Sequence, residues 1–245
     1  LTTGDSGNLA GQRLVLPVMV YVLVIVSLMV LIYGPQLWVQ WVLNRYNRRA
    51  EENFPGTGGE LARHLLDRYD LHEVRVEITD SGDHYDPMER AVRLTRDKHD
   101  GKTLTAITVA AHECGHAYQH AASEPMFMLR TRLARISVIA QRLGSFLLFA
   151  APFVVLVTRL PLAALFNIVG AFLIMGFAVV MHLLTLPVEI DASFKKALPL
   201  LASGYLEKRQ MPAARSILRA AAWTYVAASL ATLLNFWRWL AVLRR

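Results

Sequence analysis

Cysteine is almost missing from this sequence. Cys114 is the only one in 245 residues, so no intramolecular disulfide can staple the fold. On the motif helix described below it faces away from the neighbouring histidines and reads as a small buried filler. Acidic residues are also short, 19 against 26 Lys and Arg, which leaves a net charge of +7. A nucleic-acid partner would need a basic face interleaved with aromatics, and there is none. In an apolar chain the same excess fits cytoplasmic loops rich in Lys and Arg. Polar residues inside the apolar runs are few: Asn167, His182, Thr224, Asn235 and Arg238. That scarcity argues against a small transporter. There is no internal repeat and no low-complexity segment.

What abounds is apolar. Hydrophobic residues make up 54% of the chain and mean hydropathy is +0.34, too high for an ordinary soluble domain. Four apolar runs stand out, at 14–34, 143–158, 161–186 and 217–243, each read as a transmembrane helix. Residues 1–13 read as a flexible tail. Leu14 to Gly34 is followed by Pro35-Gln36-Leu37-Trp38, which is no cleavage site, so the run reads as an anchor that stays. Residues 35–142 form a polar lobe, and 187–216 a second, basic one. Within the first lobe, Thr57-Gly58-Gly59-Glu60 can cap a helix whose apolar face is Leu61, Leu65, Leu66 and Tyr69. Val74–Ile78 alternates as a strand does. With a turn at Asp80–Asp83 and a second strand at Ala91–Leu94 it predicts a small β-hairpin, able to align a substrate backbone or merely to cover the lobe. Met128–Gln141 reads as a basic amphipathic helix at the membrane surface or against the polar lobe. The expected fold is mainly α: a multi-spanning membrane protein with four transmembrane helices and a small β-hairpin in the polar lobe.

The chemistry centres on His112-Glu113-Cys114-Gly115-His116. Residues i and i+4 share a helix face, so two imidazoles at this spacing can hold one zinc ion, and Glu113 can reach a water on it. An open catalytic zinc needs a third side chain. Gln119 and Ala122 stand where a three-histidine motif would continue, so that pattern is excluded. Downstream, Glu124 precedes Pro125 and points away, and Glu207 sits among Lys208 and Arg209 as a solvated face would. His120 is carried off by the helix, and His182 reads as a core histidine. Glu189 remains, in Leu186-Pro187-Val188-Glu189-Ile190-Asp191-Ala192-Ser193. Pro187 can start a helix there, with Glu189 and Ser193 on one face. Asp191 diverges from Glu189 and is placed to orient a ligand or to close the fold. The expected site is His112, His116 and Glu189 around one Zn2+ per chain, with Glu113 as the catalytic base.

Three ordered stretches resemble the YugP-type (zinc peptidase 2) bacterial membrane zinc metallopeptidases. They are Asp83-His84-Tyr85-Asp86-Pro87, then Ala110-Ala111-His112-Glu113-Cys114-Gly115-His116-Ala117-Tyr118-Gln119, then Leu186 to Ser193. The similarity continues into Ala220–Ala228 and covers most of the chain. It implies a multi-pass protein of the bacterial inner membrane with a zinc endopeptidase site in a gluzincin-like lobe. In the related HtpX-type peptidases a Glu after a membrane hairpin completes the metal site, which supports Glu189. Cys114 and Ile190 depart from the usual pattern without touching the metal chemistry.

Two further expectations follow. His116 and Glu189 are separated by two apolar runs, an even number of crossings, so both can lie on one side of the bilayer. The Lys and Arg near the spans place that side in the cytoplasm. The second concerns the carbonyl oxygen of the substrate, which needs a donor as it gains charge. Candidates for that or for orienting the ligands are His84, Tyr85, Asp86, Tyr118, Asp191, Tyr205 and Arg215. The expected partners are the lipid bilayer and a protein or peptide substrate, and no oligomeric state is implied. The competing reading is a catalytically silent membrane scaffold, or a chaperone-like protein, that keeps the zinc site for structure.

Overall fold

A computed structural model describes residues 6–47 and 54–224. Helix α1 spans Ser6–Asn47. It therefore starts inside the stretch expected to be a flexible tail, because Gly7 and Gly11 each weaken a helix by only about 1 kcal/mol. It also runs on through Pro35. Its last turns dock on the polar lobe: Val39 and Val42 are buried, and Thr105 Oγ1 donates to the Leu43 carbonyl at 3.1 Å.

Helix α2 (Gly58–Arg68) begins with a capping box. Thr57 Oγ1 accepts from the Glu60 amide, and the Glu60 carboxylate accepts from the Thr57 amide at 2.8 Å. Its buried face is Leu61, Ala62, Leu65 and Leu66, the pattern the spacing predicts.

The sheet differs from the expected hairpin. Strand β1 (Arg75–Ile78) pairs in parallel with β3 (Ala91–Leu94), from Arg75↔Ala91 to Ile78↔Leu94. A third strand, β2 (His84–Asp86), pairs antiparallel with β3 and gives the order β1-β3-β2. The hairpin is β2–β3. Asp86 Oδ1 closes it by accepting from the Met88 and Glu89 amides at 2.8 and 3.2 Å. Three residues are too few to show a period of two, so β2 leaves no alternating pattern to find. After a short α3 (Arg96–His99) comes α4 (Leu104–Ala121), the central helix. Every residue from Leu104 to Ala117 is buried.

Helix α5 (Pro125–Thr158) merges the amphipathic segment and the second apolar run into one helix. It bends by 43° between Leu147 and Phe149. Pro152 explains the bend, since its ring collides with the carbonyl four residues back, at 148. Arg159 then takes a left-handed conformation (φ 54°) and Pro161 opens α6 (Pro161–Ile190), the turn the sequence predicts. Here the expectation for Pro187 is corrected: it does not start a helix but lies inside α6. A proline costs one hydrogen bond, which a well-packed helix tolerates. Wider, π-helical turns follow at once over Asp191–Ala197, and a last described helix runs over 211–224.

Among the described residues no single helix is long and apolar enough to cross a membrane, though the bent pair Pro125–Leu147 and Phe149–Thr158 could do so together. Most of the fourth apolar run, with Asn235 and Arg238, lies outside the described residues.

Gly115 sets how closely the π-helical segment approaches α4. A Cβ there would lie 3.0 Å from the Ala192 carbonyl oxygen. Gly115→Val should therefore destabilise the fold by about 1–3 kcal/mol through overpacking. Thermal unfolding in detergent checks this, and an unchanged midpoint would show that the two elements can part without cost.

Candidate metal centre

Residues 112 and 116 lie one turn apart on α4, and α6 delivers Glu189 against them. The Nε2 atoms of His112 and His116 are each 3.2 Å from Glu189 Oε2. Glu189 is fully buried, and the histidines are 4% and 3% exposed. The three ligand atoms all lie within 4.8 Å of one another. The other carboxylate oxygen, Oε1, is buried, and its contact with Arg130 Nη2 is an ion pair without hydrogen-bond geometry. Two imidazole nitrogens and one carboxylate oxygen, converging in a water-poor pocket, form a donor set that fits zinc.

The surrounding hydrogen bonds fix which nitrogen faces the site. Ser193 Oγ donates to the Leu218 carbonyl at 3.4 Å, which leaves it to accept from His112 Nδ1 at 3.1 Å. Gln119 Nε2 donates to the Val188 carbonyl at 3.1 Å and to Asp191 Oδ2 at 2.9 Å. Its Oε1 is then the acceptor for His116 Nδ1, at 2.9 Å. Both rings thus carry their proton on Nδ1 and present the Nε2 lone pair to the site, as metal-bound histidines do. Asp191 anchors this chain. Burial alone would raise its pKa, but Lys196 at 2.7 Å and Gln119 outweigh that and hold it down at about 2. Lys196 reaches on to Glu124 at 2.8 Å.

Glu113 lies beside the three candidate ligands, buried and without a side-chain hydrogen bond among the described residues. Burial pushes its carboxyl up to about 7, against the opposing effect of His112. Glu189 goes the other way. Burial would raise it, but His116 and His112, when protonated, and Arg130 hold it well below the usual carboxylate range; with both rings neutral, Arg130 remains of these three. Arg130 Nη2 forms an ion pair with Glu189 Oε1 at 3.2 Å. The Phe127 ring walls the site, 6.1 Å from the His116 ring centre.

The remaining candidates are elsewhere. His84 donates to the Gly82 carbonyl at 2.8 Å, Asp86 pairs with Arg93 at 2.7 Å, and Tyr205 shares a hydrogen bond with His64 at 2.8 Å. Arg215 is exposed on the 211–224 helix, and Tyr118 packs against Tyr69 with the rings tilted by 49°. None of these bonds to a ligand. Tyr85 comes nearer, sharing a hydrogen bond with His120 at 2.9 Å beside Phe127. Asp191 alone of the candidate orienting residues joins the network, through Gln119. Gln119 belongs to the motif stretch without a role that sequence alone assigns, and Arg130 belongs to no motif. Gln119 carried a signal, since i+3 from His116 is the same helix face. Arg130 carried none, because its reach depends on how α5 leaves α4.

Loss of an orienting partner should weaken metal binding less than loss of a ligand. Gln119→Ala should cost about 10–100-fold in zinc affinity, while Glu189→Ala should empty the site at the same chelator concentration. Zinc content after dialysis against graded chelator measures both. Equal retention by the two variants would show that Glu189 is not a ligand.

Comparison with known proteins agrees with this donor set. Residues 21–244 match the family described as "Putative neutral zinc metallopeptidase". A curated relative, "Putative membrane protease YugP" of Bacillus subtilis (strain 168), is 31% identical over 227 residues, covering 91% of this chain and 96% of the relative. No solved structure matches the chain. A family match across nearly the whole length, with the His-His-Glu cluster inside it, shows that the chain belongs to the zinc peptidase 2 family.

Proposed function

We propose that this protein is a membrane-embedded zinc endopeptidase that cuts protein substrates at the cytoplasmic face of the bacterial inner membrane. The observation that carries the reading is the meeting of His112, His116 and Glu189 beside Glu113, which is buried and makes no side-chain hydrogen bond among the described residues. A structural zinc site is closed by four protein ligands. Here three converge among the described residues, which leaves a position for water and argues against a silent scaffold.

A zinc ion bound here would polarise the substrate carbonyl and make water acidic enough to attack near neutral pH. Glu113 accepts the proton of the attacking water on its carboxylate and passes it to the amide nitrogen as the C–N bond breaks. Ser193 and Gln119 keep both imidazoles oriented while this happens. Arg130 balances Glu189 and limits the negative charge beside Glu113.

Four observations support the membrane reading. The sequence has four apolar runs, three of them at least 21 residues long and the run at 143–158 of 16 residues. Large apolar side chains on α5 and α6, among them Phe146, Phe149, Phe153, Phe166 and Leu173, are exposed rather than packed. The relative is named a membrane protease. The α5–α6 hairpin separates α4 from Glu189 and brings the chain back to the same side.

Two experiments test the proposal. Glu113→Gln should keep its zinc and lose peptide cleavage by about 100-fold or more, read by metal analysis and a fluorogenic peptide assay. Wild-type cleavage by this variant would remove Glu113 as the base. For the topology, Ser81→Cys in a Cys114→Ala background should react in cells only with a membrane-permeant thiol reagent. Ready labelling by an impermeant one would put the lobe outside.

A further inference from the structure

A cavity of about 280 Å³ opens between the end of β2 and the first turns of α5, lined by Tyr85, Met88, Phe127, Arg130, Ala134 and Val138 among others. Two of its walls are also walls of the metal centre. Phe127 packs on His116, and Arg130 pairs with Glu189. The cavity is therefore one side chain away from the candidate ligands, with Phe127 and Arg130 as the shared walls. Its lining is mostly apolar; of its polar members Arg130 is engaged by Glu189, Thr131 Oγ1 donates to the Phe127 carbonyl, and Arg135 contacts the Met88 sulfur. That leaves burial of apolar surface as the main attraction it can offer a side chain.

Strand β2 adds a second feature. It is an edge strand, bonded to β3 on one side only, and no backbone ladder covers its other edge among the described residues. Tyr85, at its centre, turns its side chain inward onto Phe127 and His120. An extended peptide can add to such an edge by backbone hydrogen bonds, with one side chain entering the nearest pocket.

We propose that this cavity receives a large apolar side chain of the substrate next to the scissile bond, so that β2 and α5 together select extended segments carrying Leu, Met or Phe there. The proposal rests on the endopeptidase reading of the adjoining metal centre. Ala134 and Val138 sit on the α5 side and are exposed. A bulky residue at 134 fills the pocket from its solvent side without entering the core.

The test compares peptides that differ only in carrying Leu or Ala at that position. Apolar pockets discriminate by about 10–200-fold for each methylene gained or lost. Wild type should prefer the Leu peptide in kcat/KM by at least about tenfold, and Ala134→Trp should erase most of that ratio while retaining zinc. Should Ala134→Trp misfold, Val138→Ala serves instead and should shift preference from Leu toward Trp. A second arm measures binding of the same peptides to zinc-loaded Glu113→Gln, with and without Ala134→Trp, by fluorescence anisotropy. The same loss of Leu preference is expected there. If wild type cleaves neither peptide, the endopeptidase reading fails, and the binding arm still decides the pocket. A Leu-to-Ala ratio that Ala134→Trp and Val138→Ala leave unchanged in cleavage and in binding overturns the proposal.

Discussion

Glu189 has no contact with solvent, and a carboxylate in that position stays ionised only if nearby charge or hydrogen bonding compensates for lost hydration. Two imidazoles and one guanidinium surround it. The imidazoles are held with their protons on Nδ1, turned outward to Gln119 and Ser193, so they offer Glu189 lone pairs rather than protons. A divalent cation at the point where the three sets of lone pairs meet resolves this arrangement, because it satisfies all three at once. Much of the architecture serves to bring that point into being.

The dependence runs outward from there. Glu189 reaches α4 because α5 and α6 form a tight hairpin, and because α6 continues through Pro187 without a break. The approach is close because Gly115 lets the Ala192 carbonyl come in. Asp191, Lys196 and Glu124 tie the end of α6 to the end of α4 by charge, so the two elements that carry ligands are linked twice. Within the lobe, α2 covers the opposite side of α4, where Cys114 donates to the Ala62 carbonyl at 3.5 Å. Burial pushes that thiol's pKa above its ordinary value, which keeps it a neutral filler rather than a ligand.

Legibility in the sequence followed locality. His112, Glu113 and His116 sit on one helix, so their spacing alone specifies the geometry. Glu189 lies 73 positions from His116 but could still be singled out, since few carboxylates follow the motif helix and most have other partners. The capping box of α2 and the turn at Arg159–Pro161 were legible for the same local reason. What the sequence hid was non-local. Parallel pairing of β1 with β3 depends on where β2 goes, and β2 is too short to announce itself. A proline inside an apolar run is equally consistent with a helix start and with a helix that continues, and only packing decides. Gln119 and Arg130 acquire roles from residues 72 and 59 positions away, through contacts no periodicity encodes.

The central claim is the identity of the three ligands, and X-ray absorption at the zinc edge of the purified protein tests it most directly. The account predicts a nitrogen and oxygen shell at about 2.0–2.2 Å, with multiple scattering from two imidazoles and no sulfur. A sulfur shell near 2.3 Å, or scattering from three imidazoles, would contradict it, because Cys114 or another histidine would then hold the metal in place of Glu189.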